Sequence, residues 1–192
     1  MRIVLASASP RRKELLALLY PHFECMASDI DESIGAGEMP DDYVCRMAIE
    51  KAQACAVSDG IVVAADTTVT LNNEVLGKPK NREHARTMLQ RLSGCSHRVL
   101  TSVAIRLGSQ LRTRLVASNV SFADLSTDLI DQYLQTSEPW DKAGAYGIQG
   151  FAGSFVSTIE GSYSAVVGLP LLETRELLVQ FGVAPVWQSV DA

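Results

Sequence analysis

The sequence predicts a mixed α/β sheet flanked by helices, and three observations predict it. Short apolar runs of strand length, such as Ile3-Val4-Leu5-Ala6, alternate with stretches of helical periodicity such as Asp41–Val57. Ile61–Ala65 is apolar at every position, the pattern of a strand covered on both faces. A long hairpin over residues 97–123 adds an antiparallel pair, so the sheet is not purely parallel.

Each element follows from its own residues. Ile3–Ala6 reads as a strand and Pro10–Leu19 as a helix. Pro10 suits the first helical position, where its missing N–H costs nothing, and Ser9 suits the N-cap. Phe23–Ala27 is a second strand, and the acidic, glycine-containing Asp29–Pro40 is a loop. Asp41–Val57 carries Val44, Met47, Ala48, Lys51, Ala52 and Cys55 at helical spacing. After the Ile61–Ala65 strand, Asn72-Asn73 marks a tight turn between two short strands. Asn81 caps a helix that ends before Ser93-Gly94. Val99, Thr101, Val103, Ile105 and Leu107 alternate, Gly108-Ser109 turns, and Leu111–Ala123 returns as a partner strand. Thr127–Leu134 is helical, Glu138–Gly161 irregular, Ser162–Val167 a strand and Pro170–Phe181 a helix ended by Gly182. The expected organisation is one domain over residues 1–182 and a loose tail over 183–192.

Composition narrows the function classes. The 192 residues are 47% hydrophobic and 6% aromatic, as in a globular protein with a substantial core. A net charge of -5 excludes a global attraction to nucleic acid or to an anionic membrane, so an anionic ligand needs a local basic pocket. Cys25, Cys45, Cys55 and Cys95 form neither a CxxC pair nor a zinc spacing and read as reduced thiols. The start lacks signal-peptide character and no apolar run is long enough to span a bilayer, so a cytoplasmic location is expected.

The chemistry-bearing residues cluster in a few segments. Arg11 and Arg12 lie in a first helical turn, where the helix dipole disfavours cations, so they mark either a bound anion such as phosphate or a capped surface helix with two solvated arginines. Asp66 follows the buried strand; at a strand end it would bind Mg²⁺ or Mn²⁺, take a proton from water, or merely cap Thr67 and Thr68 in a turn. Lys51, mid-helix beside the apolar stripe, and Lys78, in Gly77-Lys78-Pro79, are point-charge partners for phosphate or ordinary surface lysines. Gly144–Gly150 holds three glycines around Gln149, so its backbone either approaches a ligand closely or forms a flexible loop. The Gln149 amide can read a base edge. Neither a dinucleotide fingerprint nor a phosphate-binding P-loop is present.

Six segments, in order, resemble the Maf family of nucleotide pyrophosphatases. They are Leu5–Leu16, Glu50-Lys51-Ala52, Ala65-Asp66-Thr67, Gly77-Lys78-Pro79, Asp141–Gly150 and Gly161–Pro170, and they span nearly the whole chain. Asp141–Gly150 resembles the branch acting on dTTP and UTP; the 7-methyl-GTP branch differs there. Ala165 and Thr68 depart from the commoner Asn and Ile. The resemblance implies two lobes around a deep cleft, a homodimer, and hydrolysis of a nucleoside triphosphate to monophosphate and pyrophosphate. It implies Asp66 as general base or metal ligand, Glu32 as its partner on a divalent cation, Mg²⁺ or Mn²⁺, and Ser9, Arg11, Arg12, Lys51 and Lys78 on the triphosphate. Arg12, Thr67 and Gln149 would select the base. A pyrophosphatase for 7-methyl-GTP and a nucleotide-binding regulator of septum formation are the alternatives.

Overall fold

The computed structural model describes residues 1–188. The hydrogen-bonded strand order is β2-β1-β3-β5-β6-β7, with β4 paired to β3, where β1 is Ile3–Leu5, β2 Glu24–Cys25, β3 Ile61–Leu71, β4 Glu74–Leu76, β5 Ser96–Leu107, β6 Gln110–Phe122 and β7 Val156–Glu160. β1 runs parallel to β2 and β3, whereas β4 is antiparallel to β3 and β7 to β6, so the sheet is mixed as expected. The chain divides into two compact units.

The first unit comprises Met1–Asp66, Thr101–Val116 and the segment from Gly168. Its helices are α1 (Pro10–Leu19), α2 (Pro40–Ala54) and α6 (Leu171–Gln180). Strand alternation sorts its side chains into two layers. Ile3, Leu5, Ile61, Val63 and Ala65 pack with Leu16 and Leu19 of α1 and Leu177 and Leu178 of α6. Val4, Ala6, Val62 and Ala64 pack with Ala48 and Ala52 of α2. The small residues of this second layer let α2 lie close against the strands.

The second unit comprises Thr67–Leu100 and Ala117–Val167. Its core joins Val69, Leu76, Met88, Leu89, Leu92, Val120 and Phe122 to Ile130 and Tyr133, drawing on α3 (Arg82–Leu92) and α4 (Thr127–Tyr133). Asn72 and Asn73 both take positive φ, 53° and 63°, and close the β3–β4 hairpin with a two-residue turn. Asn81 caps α3 by accepting from His84 N at 2.8 Å. All four cysteines are free, and no helix among the described residues is long and apolar enough to cross a membrane.

Several elements depart from expectation. β3 runs eleven residues rather than ending at Ala65; Thr67, Thr68 and Thr70 are polar, but β-branched residues favour extended backbone. The strand expected over Ser162–Val167 is instead the short helix α5 (Tyr163–Val167). Ser162 Oγ accepts from Ala165 N at 3.2 Å and caps that turn. Phe23–Ala27 shortens to the two exposed residues of β2, and the region from Glu138 contains three 3₁₀ turns and β7. At the C-terminal end, Val183 N donates to Leu178 O and Val183 O accepts from Tyr20. Val186–Gln188 make a 3₁₀ turn, and the rest of the expected tail, residues 189–192, lies outside the described residues.

Candidate active site

The start of α1 is built as its sequence suggests. Ser9 accepts from Arg12 N at 3.4 Å, and Ser7 Oγ accepts from Ser9 N at 3.2 Å. Arg12 is turned back over this cap: its Nε donates to Gly168 O at 2.9 Å and its Nη1 to Ser7 Oγ at 3.4 Å. Burial lowers the Arg12 pKa, and the negative charges of Asp66 and Glu32 oppose that shift. Arg11, half-buried beside it, adds a like charge. Arg11 and Arg12 thus bring two positive charges to the start of α1, beside the positive end of the helix dipole, a chemistry suited to an anion.

Asp66 is the sixth of eleven residues in β3, not its end, and it does not open a turn. Its alternation matches that of Val62 and Ala64, so its side chain belongs to the layer facing α2. There it meets Lys51, whose Nζ donates to Asp66 Oδ1 at 2.7 Å. The same ammonium lies 2.6 Å from Glu32 Oε1. Lys51 and Asp66 keep only 10% and 11% of their side-chain surface exposed, against 51% for Glu32. A buried lysine between two carboxylates is not an ordinary surface residue: each charge needs the others in order to leave water.

Glu32 is held from behind by residues that local sequence patterns did not single out. Tyr43 Oη donates to Glu32 O at 3.0 Å and Arg46 Nη2 to Ser33 O at 2.9 Å. Arg46 also grips Glu38 bidentately, at 2.6 and 2.7 Å, and Glu38 accepts from Gly35 N at 2.8 Å. Hydrogen bonding to Arg46 pulls the Glu38 carboxyl from 4.5 down to about 2. Its depressed folded pKa means that the pairing supports the loop fully above pH 4.5 and is lost as pH falls toward about 2. Arg46→Ala is expected to raise amide exchange over residues 33–38 about tenfold at neutral pH, the worth of roughly one charge-assisted hydrogen bond, and to remove that acid dependence. Exchange equal to wild type would show that the loop is held by other contacts. The only cue in the sequence was the spacing of Arg46 and Glu50, which do pair, at 3.4 Å.

The remaining candidates lie on the second unit. Thr67 continues β3 and is partly buried, while Lys78 and Gln149 are exposed. Their segments are joined: Gly144 N donates to Gly77 O at 3.1 Å. Tyr146 is buried, and its hydroxyl lies 2.8 Å from His97 Nε2. Burial lowers His97 to about 4, so this ring is neutral near pH 7. Two glycines beside Gln149 are packed closely against the chain's own side chains. A Cβ on Gly147 would stand 2.7 Å from Lys142 Cε, and one on Gly150 would stand 2.0 Å from Glu138 Oε2. These glycines make room for the chain's own side chains.

No group of three or more His, Cys, Asp or Glu side chains poised for a metal occurs among the described residues. Glu32 and Asp66 nonetheless fit a hard divalent cation, since both direct a carboxylate oxygen to one positively charged point. Mg²⁺ typically takes one or two carboxylates and completes its shell with substrate phosphates and water.

The family model for Maf-like proteins matches residues 2–181. The chain belongs to the Maf-like family. This Maf-like chain is 50% identical to the dTTP/UTP pyrophosphatase of Pseudoalteromonas atlantica (strain T6c / ATCC BAA-1087), covering 95% of this chain and 98% of that relative. It is 51% identical to the protein of the same name from Shewanella sp. (strain MR-7), covering 95% and 100%. For that of Anaeromyxobacter dehalogenans (strain 2CP-1 / ATCC BAA-258) the identity is 52%, covering 97% of each. Among solved structures, the Ham1 protein of Staphylococcus aureus aligns with TM-score 0.47 at 17% identity, over 65% of this chain and 73% of that one.

Proposed function

We propose that this Maf-like protein is a nucleoside triphosphate pyrophosphatase that converts dTTP and UTP to the monophosphate and pyrophosphate. Relatives of that name match at about half of all positions over nearly their full length. The observation that carries the chemistry is the buried Lys51 held between Asp66 and Glu32, in the same unit as the paired arginines of α1.

A triphosphate brings about four negative charges, which cations must meet for it to bind. Ser9, Arg11, Arg12, Lys51 and Lys78 supply those contacts. Asp66 holds the attacking water and accepts its proton. The water oxygen bonds to the α phosphorus as the bridge to the β phosphorus breaks, and the electron pair leaves on pyrophosphate. Lys51 and the arginines stabilise the charge that builds on the departing group. Glu32 and Asp66 would hold Mg²⁺ or Mn²⁺, which neutralises phosphate oxygens when bound.

The test is pyrophosphate release from a panel of canonical and modified nucleoside triphosphates with Mg²⁺ or Mn²⁺. Release from dTTP and UTP is expected, and release from none would overturn the reading. Arg12, Thr67 and Gln149 select the base. Gln149→Ala is accordingly expected to lower the preference for dTTP and UTP over GTP about tenfold, the worth of roughly one good base contact, while slowing the best substrate less. An unchanged ranking of dTTP, UTP, CTP and GTP would remove Gln149 from that role.

A further inference from the structure

Gln149 is exposed, and a base reader is only as selective as its backbone is fixed. The Gly147–Gly150 turn closes on itself, with Gly150 N donating to Gly147 O at 3.1 Å. Besides the Gly153 N bond to Gly150 O at 3.0 Å, that turn is anchored to the unit by Glu138. Its Oε2 accepts from Phe151 N at 2.7 Å, and its Oε1 accepts from Ala152 N at 3.1 Å and from Tyr133 Oη at 3.1 Å. Both oxygens of the carboxylate are thus engaged, by the segment that follows Gln149 and by the buried Tyr133 of α4.

The surrounding sequence is fitted to that carboxylate. Gly150 leaves the space Oε2 occupies, since a Cβ there would stand 2.0 Å away. On the other side of Gln149, Gly147 leaves space for the Lys142 methylenes, and Lys142 Nζ donates to Glu138 O at 3.0 Å. Gly153 lets the chain fold back on Ile148 O, which a Cβ would meet at 2.6 Å. Gln149 therefore lies between Gly150, closed over the Glu138 carboxylate, and Gly147, closed over the Lys142 side chain that reaches Glu138 O.

We propose that Glu138 is a positioning residue for base selection: its carboxylate fixes the turn that carries Gln149, so discrimination among bases depends on a side chain whose oxygens serve protein donors. This rests on the reading of Gln149 as the base reader. Removing the carboxylate leaves the Phe151 and Ala152 N–H groups without their acceptor and opens space beneath Gly150, so the turn samples more than one orientation.

The test compares full-length wild type, Glu138→Gln and Glu138→Ala. It measures kcat and KM for dTTP, UTP, CTP and GTP, with amide exchange over residues 147–152. Gln retains one carbonyl acceptor and serves as the milder variant. Exchange at Phe151 and Ala152 is expected to rise about tenfold in the Ala variant and less in the Gln variant, as expected for loss of one or both acceptor oxygens. The kcat/KM preference for pyrimidines over GTP is expected to fall in the same order, mainly through KM, beyond any loss of kcat common to all four. A fall shared equally by the four nucleotides, with the preference kept, would overturn the proposal, because general loss of structure does that. Should Glu138→Ala not fold, Glu138→Gln carries the comparison. If wild type itself releases no pyrophosphate, the pyrophosphatase reading fails separately. Calorimetric binding of the same nucleotides then replaces kinetics: lost base preference with raised exchange supports the role of Glu138, and unchanged preference or exchange overturns it.

Discussion

Asp66→Asn is expected to lower turnover of dTTP and UTP by roughly 10²–10⁴-fold, the range for loss of a general base. Asn is close in shape to Asp, and its carbonyl oxygen still accepts from Lys51 Nζ, which lies 2.7 Å from the wild-type carboxylate. The layer of Val62, Ala64 and Ala48 around it is unchanged and Lys51 keeps its 2.6 Å contact with Glu32, so the fold should be kept, with the thermal midpoint lowered by the lost charge pairing. What the variant loses is the capacity to accept the water proton and one negative charge at the cation position. The loss should therefore appear in kcat at saturating nucleotide rather than in KM alone. Near-normal turnover in a folded Asp66→Asn protein would exclude Asp66 as the base.

Lys51→Met is expected to remove turnover to a similar degree and to destabilise the protein more than Asp66→Asn does, since Lys51 keeps Glu32 in that variant whereas Asp66 loses its ammonium here. Methionine matches the length of the aliphatic stem and fills the space beside Ala48 and Ala52. It leaves Asp66 buried without its ammonium, and breaking one side of a buried pair costs about 3 kcal/mol or more. Glu32 contributes little to that cost, because half of its side chain already faces water. The diagnostic is the double variant Lys51→Met with Asp66→Asn. It should regain most of the stability, since the uncompensated charge is gone, and none of the turnover. Chemical denaturation of the single and double variants measures this. Additive losses of stability would mean that the two residues act independently, against the short contact between them.

Helix α2 was legible because its apolar positions recur at helical spacing, and Lys51 was visible on that stripe. The cap at Ser9 was legible because it depends on adjacent residues. The partner of Lys51 was not, because it stands fifteen positions away on β3 and no local pattern records that approach. The true length of β3 was hidden by its threonines, which read as polar although their branching suits a strand. Ala165-Val166-Val167 is too short to reveal a period, so its helix rests on a serine cap invisible to the apolar pattern. The glycines around Gln149 signalled close approach, but not that the approaching groups are Glu138 and Lys142. The family motifs named residues for the site; only the structure shows which of them touch.

The parity of β3 limits how this protein can change over evolution. Asp66 faces α2 because it stands two positions after Ala64 and four after Val62, on the same face of the strand. Deleting or inserting one residue between Ile61 and Asp66 would turn the carboxylate toward the layer of Leu16 and Leu177, with every later side chain of the strand inverted as well. Substitutions in that stretch can be absorbed one at a time, whereas a change of length by a single codon cannot. The distance in sequence from Ile61 to Asp66 is therefore under tighter constraint than the identity of the aliphatic residues that fill it.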